Sequence, residues 1–122
     1  VGGVLQDTSK KVFRGTIDFP LGCAGAKGDE MEDVLILGED AINQTVPLIL
    51  CAEEDVEGNH GASIGRPADE VLFYLASRGL SEEDACNLLA RAKLEALCNR
   101  IGEQKIAEQA ENWLWEVTGD EA

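Results

Sequence analysis

A change of period divides this chain of 122 residues in two. Up to Ile64-Gly65-Arg66 the apolar residues come in short runs broken by glycine, the spacing of strands; from Pro67 onward they recur at helical intervals. A chain that switches period once must fold as mixed β and α, with a β part over residues 1–66 and a helical part over 67–122. At the switch lies Asp55-Val56-Glu57-Gly58-Asn59-His60-Gly61-Ala62-Ser63-Ile64-Gly65-Arg66, which carries the single histidine.

Residues 1–10 carry little pattern and read as a strand remnant or lead-in. Lys11 to Phe19 alternates as a strand does, with a kink expected at Gly15 and an end at Pro20. Leu21-Gly22-Cys23-Ala24-Gly25-Ala26-Lys27-Gly28 is a glycine-rich loop; it lacks the Gly-Lys-Ser/Thr ending of a phosphate-binding loop, so a turn of small residues is expected. Val34-Leu35-Ile36-Leu37 reads as a strand buried on both faces, Thr45–Leu50 as another closed by Cys51, and Ala62-Ser63-Ile64 as a last short one. Strands with turns every dozen or so residues suit a sandwich, a barrel or a β-solenoid, and periodicity does not choose among them.

In the second half Pro67 opens a helix running roughly from Ala68 to Arg78 and stopped by Gly79, with Leu80 able to pack back on Leu75. Ser81 caps the next helix, and Glu82, Glu83 and Asp84 sit at the positive end of its dipole. Its expected apolar face is Ala85, Leu88, Leu89, Ala92 and Ala96, with Gly102 a break. The last helix places Ile106, Ala110, Trp113, Leu114 and Val117 on one stripe; Trp115 falls off it, as a second packing face, a partner surface or an ordinary half-exposed side chain.

Charge narrows the range of partners. Asp and Glu number 24 against 10 Lys and Arg, for a net charge of −14, divided evenly between the halves. Such a field repels phosphate backbones and anionic lipid, so neither nucleic acid nor a membrane surface is expected as partner. No run approaches the roughly 18 to 20 apolar residues of a spanning helix. The four cysteines, Cys23, Cys51, Cys86 and Cys98, are expected as reduced thiols in a cytoplasmic protein. The chain opens Val1-Gly2-Gly3 without methionine, which suggests a fragment or processed product of something longer.

Of the residues able to do chemistry, His60 stands out, between Gly58 and Gly61. A neutral imidazole can ligate a metal or move protons; the alternative is a turn histidine bonded to backbone. Cys51 precedes it by nine residues, an unspecific spacing, although successive coils of a solenoid could bring the two close. Cys23, in its glycine loop, could be an exposed thiolate, the soft ligand that iron–sulfur clusters take. Cys86 and Cys98 lie among apolar helix residues and read as small packing groups.

The ordered set Asp55-Val56, His60-Gly61-Ala62, Ile64-Gly65, Leu72-Phe73-Tyr74-Leu75, Ser77-Arg78-Gly79-Leu80 and Ser81-Glu82-Glu83-Asp84-Ala85 resembles the C-terminal part of the SufB/SufD scaffold proteins of iron–sulfur cluster assembly. The likeness covers about Lys11 to Leu89. It implies the C-terminal coils of a right-handed parallel β-helix followed by a small α-helical domain. It also implies a scaffold that is not an enzyme in its own right and that forms a dimer with itself or a SufB/SufD-like partner. The helices would dock a SufC-like ABC ATPase through Phe73, Tyr74, Arg78, Leu88 and Leu89, and a cysteine desulfurase system would supply sulfur. His60 matches the histidine of the SufD motif. Glu32 stands where the SufB cysteine would be, and Gly58 where SufD has its usual cysteine. A transient iron–sulfur cluster at the dimer interface would then take His60 with Cys51 or Cys23, and Glu32, Glu54 and Glu57 as oxygen donors or proton acceptors.

Two other readings remain. One is a structural SufD-like partner that carries no cluster ligand. The other is an acyltransferase on a β-helix with His60 as general base, for which the sequence lacks the six-residue recurrence of Ile, Leu or Val.

Overall fold

The structure, a computed structural model, describes residues 1–118, with side chains to residue 116. The chain divides into two compact units, Val1–Gly65 and the chain from Arg66 onward. The first is all β and the second all α, the mixed class that the change of period implies.

The β unit has five strands: β1 (Gly2–Leu5), β2 (Lys10–Phe19), β3 (Lys27–Ile36), β4 (Ile42–Cys51) and β5 (Glu57–Gly65). They form two parallel sheets, β1-β3-β5 and β2-β4, so consecutive strands alternate between sheets. Each strand therefore pairs with the next but one. Gly2 lies opposite Asp33, Lys10 opposite Ile42 and Lys27 opposite Glu57, partners 31, 32 and 30 residues on. With two and three strands, the sheets do not amount to a solenoid. What they share with the expected coils is this regular return.

Three strands differ from the sequence expectation, β4 in starting at Ile42 rather than Thr45. β3 begins at Lys27, seven residues before the apolar run, because its first part buries acids instead of aliphatics: Gly28, Glu30, Glu32 and Val34 point inward while Lys27, Asp29, Met31 and Asp33 face out. β5 runs through the whole glycine-flanked stretch, so His60 is a strand residue and not a turn residue. The glycines there serve close packing. A Cβ on Gly58 would meet the Phe19 ring at 3.0 Å and Ile49 at 3.4 Å, and one on Gly61 would press on the Met31 thioether. Gly15 is likewise no kink; β2 passes through it with unbroken alternation of inner and outer residues.

The loops stack as regularly as the strands. Gly22 N–H donates to the Glu53 carboxylate at 3.0 Å and Gly25 N–H to the Asp55 carbonyl at 2.6 Å, so the glycine loop lies on the acidic turn one repeat later. At the other end Gly38 N–H donates to the Leu5 carbonyl, and a Cβ on Gly38 would run into the backbone of Asp7. Leu5, Phe19 and Val34 are the buried apolar residues of this unit.

The helical unit comprises α1 (Asp69–Ser77), α2 (Glu82–Cys98) and α3 (Gln104–Thr118). Gly79 takes φ +95° and Leu80 N–H donates to the Leu75 carbonyl at 3.3 Å, the left-handed stop expected there. Ser81 Oγ accepts from Asp84 N–H at 3.1 Å and caps α2.

The helix faces differ from those expected. On α2 Ala85 and Ala90 are buried and Leu89 is half-buried, while Leu88, Ala92 and Ala96 are exposed. On α3 Leu114 is buried and Ala107 and Ala110 half-buried, whereas Ile106 and Trp113 are exposed. Small residues let α2 and α3 approach on faces rotated away from the larger aliphatics. Val117, the last of the expected stripe, lies outside the residues whose side chains are described. Trp115 is occupied: the Arg91 guanidinium lies 3.3 Å from its ring centroid. No helix among the described residues is long and apolar enough to cross a membrane.

Candidate functional site

Between the two sheets lies a polar interior built by alternation on β3. Glu32 is 0 % exposed, and its carboxylate is fully used. Lys11 from β2 donates to Oε1, Asn43 Nδ2 from β4 adds a bond to the same oxygen at 3.3 Å, and Thr45 Oγ1 donates to Oε2. Lys11 also donates to Asn43 Oδ1 at 3.2 Å. Burial pushes the Glu32 carboxyl up, but the hydrogen bonds from Lys11, Thr45 and Asn43 and the charge of Lys11 outweigh it and hold the group below the usual carboxylate range. A buried acid thus stays ionised because both of its oxygens have donors, one of them a cation.

Two residues earlier on the same inner face is Glu30, which sequence reasoning did not single out. Its register partner is His60 on β5. Parallel partners put their side chains on the same side of a sheet, and His60 Nδ1 lies 3.3 Å from Glu30 Oε1. That is ion-pair distance without hydrogen-bond alignment, so Oε1 is a buried oxygen with no hydrogen-bond partner among the described residues. The Glu30 side chain is 12 % exposed and that of His60 27 %. Room for the carboxylate comes from Gly15 on the facing strand β2, where any Cβ would collide with it.

The other candidate residues lie elsewhere. Cys51 ends β4, exposed, with its Sγ donating to the Glu53 carbonyl at 3.1 Å. Cys23 is half-buried in the stacked loop just beyond β2. Both cysteines therefore lie at one end of the sheets, Cys51 bonded to Glu53 and Cys23 next in sequence to Gly22, whose N–H, with that of Glu54, holds the Glu53 carboxyl below the usual range. Glu57 is exposed and pairs with Lys27 at 2.6 Å; Glu54 is exposed in the turn. Among the described residues no group of three or more His, Cys, Asp or Glu is placed to hold a metal ion. His60 is brought to Glu30, and the thiols to the loop end. In the helical unit Phe73, 77 % exposed, and Tyr74 stand out from α1, with Arg78 5.2 Å from the Tyr74 ring centroid. Leu88 is exposed on α2.

Comparison with known proteins decides the family. Residues 1–93 match the family described as SUF system FeS cluster assembly, SufBD core domain. The chain belongs to the SufBD family. Among curated SufBD relatives, the iron–sulfur cluster assembly protein SufD of Bacillus subtilis is 32% identical over 107 residues, 88% of this chain and 24% of its own length. SufD of Escherichia coli is 29% identical over 87% of this chain and 25% of its own length. An iron–sulfur cluster assembly SufBD family protein of Staphylococcus saprophyticus is 30% identical over 80% of this chain and 21% of its own length. The chain thus spans about a quarter of the length of these SufBD proteins.

Proposed function

We propose that this chain is part of a cytoplasmic scaffold, not itself an enzyme, on which a SUF-type system builds iron–sulfur clusters. The observation that carries this reading is the family match over residues 1–93, a span that includes His60 on the edge strand β5. The cluster is cargo, assembled and passed on. Its sulfur would come from a cysteine desulfurase system.

In this reading the five strands are coils of a right-handed parallel β-helix, supported by the alternation between sheets and the return every 30 to 32 residues. Among the described strands β4 and β5 lie at sheet edges, the kind of surface on which a second scaffold chain can add. The second chain is another copy or a SufB/SufD-like protein, and the cluster forms near their interface. His60 offers a nitrogen ligand and Cys51 or Cys23 a thiolate. Exposed Glu54 and Glu57 are better oxygen donors than Glu32, whose oxygens are already engaged. A SufC-like ABC ATPase docks on the helical unit, where the exposed Phe73, Tyr74 and Leu88, with Arg78 and Leu89, form the contact.

Anaerobic reconstitution of the dimer with iron and sulfide tests the ligand assignment. A visible chromophore that is weakened by His60→Ala and by Cys51→Ser is expected. No chromophore, or one indifferent to both substitutions, overturns it. One observation favours a second reading, a structural SufD-like partner without cluster ligands: the Cys51 thiol is turned to the Glu53 carbonyl. An ATPase captured normally, with cluster assembly intact in His60→Ala, would select that reading.

A further inference from the structure

We infer that Glu30 is the positioning residue of His60: it holds the imidazole as the Nδ1–H tautomer and leaves the Nε2 lone pair as the donor. Three independent features of the β unit converge on this pair. Register places the two residues directly opposite on β3 and β5, so both side chains rise from the same side of one sheet. Burial leaves Glu30 Oε1 without a hydrogen bond among the described residues, a loss of hydration that an N–H facing it would offset. The ion-pair partner that the structure gives this oxygen is His60 Nδ1, at 3.3 Å. Finally, Gly15 supplies bare backbone where any side chain would strike the carboxylate, so β2 accommodates Glu30 in that position.

The chemistry follows from the hydrogen count. A neutral imidazole has one N–H and one lone pair. A carboxylate oxygen can only accept, so facing Nδ1 it selects the tautomer with the hydrogen there. A modest turn of the ring converts the 3.3 Å approach into an aligned N–H···O bond. Nε2 then carries the lone pair, on a ring whose orientation is fixed from behind, and a carboxylate in that place raises the basicity of a ligating histidine. Glu32, two residues on, cannot take this part because Lys11, Asn43 and Thr45 occupy its oxygens. The consequence for iron rests on the reading of His60 as a ligand; the tautomer assignment does not.

His60 is the one histidine in this sequence, and the signals that vanish in a His60→Ala control mark its ring nitrogens in the longer protein. Two-bond proton–nitrogen correlation spectra of the metal-free natural-length protein, near pH 8.5 where an ordinary imidazole is neutral, should show the Nδ1–H pattern. Glu30→Ala should revert it to the Nε2–H form favoured by an unconstrained histidine side chain, and Glu30→Gln, whose amide oxygen can still accept, should keep it. Titration with ferrous iron under anaerobic conditions should show affinity about 10- to 100-fold weaker in Glu30→Ala, with recovery in Glu30→Gln. An Nε2–H pattern in the unsubstituted protein overturns the inference, whether or not any variant folds. So does an Nδ1–H pattern that survives Glu30→Ala. A tautomer switch with unaltered iron binding upholds Glu30 as the positioning residue and sinks only the ligand reading.

Discussion

Lys11 and Glu32 belong to different sheets and close an ion pair in the space between them. Glu32 is fully enclosed and Lys11 half-buried, and Asn43 and Thr45 complete the carboxylate's shell. The contact ties β2 and β4 of one sheet to β3 of the other through charge where an apolar side chain would usually serve.

Removing the cation should therefore be far more damaging than shortening a surface side chain. Lys11→Met leaves a buried carboxylate without its charged partner and should cost about 3–5 kcal/mol. The double substitution Lys11→Met with Glu32→Gln removes both charges and should recover much of the loss. Equilibrium urea unfolding of the three proteins checks both statements. Equal stabilities in Lys11→Met and the unsubstituted protein would mean that the buried charge has another source of compensation.

Acid should undo the same contact. The folded state holds the Glu32 carboxyl below its ordinary value, so the unfolded chain binds the proton more readily. The stabilisation is fully present above the unfolded value, about pH 4.3, and is lost as pH falls through the lower folded one. Unfolding free energy should thus drop more steeply on acidification in the unsubstituted protein than in Glu32→Gln. Glu53, whose carboxyl is also held low, is common to both and cancels in the comparison.

How much of this could be read from the chain depends on which residues carried the information. The helix ends were legible, because Ser81 and Gly79 act through bonds to their own neighbours. The start of β3 was not. Its inner face is Gly28, Glu30, Glu32 and Val34, so the usual equation of inward with apolar fails at two positions in four. The repeat of small, acid or imidazole, and aliphatic residues at every second place in Gly28–Val34 and again in Gly58–Ile64 was the available signal. His60 drew notice as the lone histidine, but glycine neighbours suggested a turn, and only the packing of Phe19, Ile49 and Met31 explains them as strand residues. That Cys51 would be drawn to Glu53 instead of to His60 depends on the loop conformation, which spacing does not encode.

Gly38→Ala should expose the tightness of the loop stack. A methyl there meets the Asp7 backbone, which cannot swing aside as a side chain would. A cost of at least about 1–3 kcal/mol is expected, against a change within about 0.5 kcal/mol for Gly3→Ala, where a Cβ finds open space. Thermal unfolding followed by circular dichroism compares the two.

In the helical unit Arg91 should matter through its plane as well as its charge. It lies over the Trp115 ring and also donates from Nε to Glu95 at 2.9 Å. Arg91→Lys keeps the cation and loses the stacked guanidinium, for a cost of about 0.5–2 kcal/mol. Trp115 emission, read in a Trp113→Phe background, should change with it. Unchanged emission would place the guanidinium elsewhere in solution.

The stacked loops carry one more implication. Seven residues, 20–26, lead from β2 into β3, and five, 52–56, lead from β4 into β5. Both counts are odd, so each passage delivers its strand with the same alternate residues turned inward. Loop length here behaves as a parity bit: two residues gained or lost leave Glu30 and His60 face to face, while one turns its strand inside out. Natural variation in these turns should therefore come in even steps, and a single-residue deletion within residues 52–56 would turn His60 away from Glu30 as surely as replacing it.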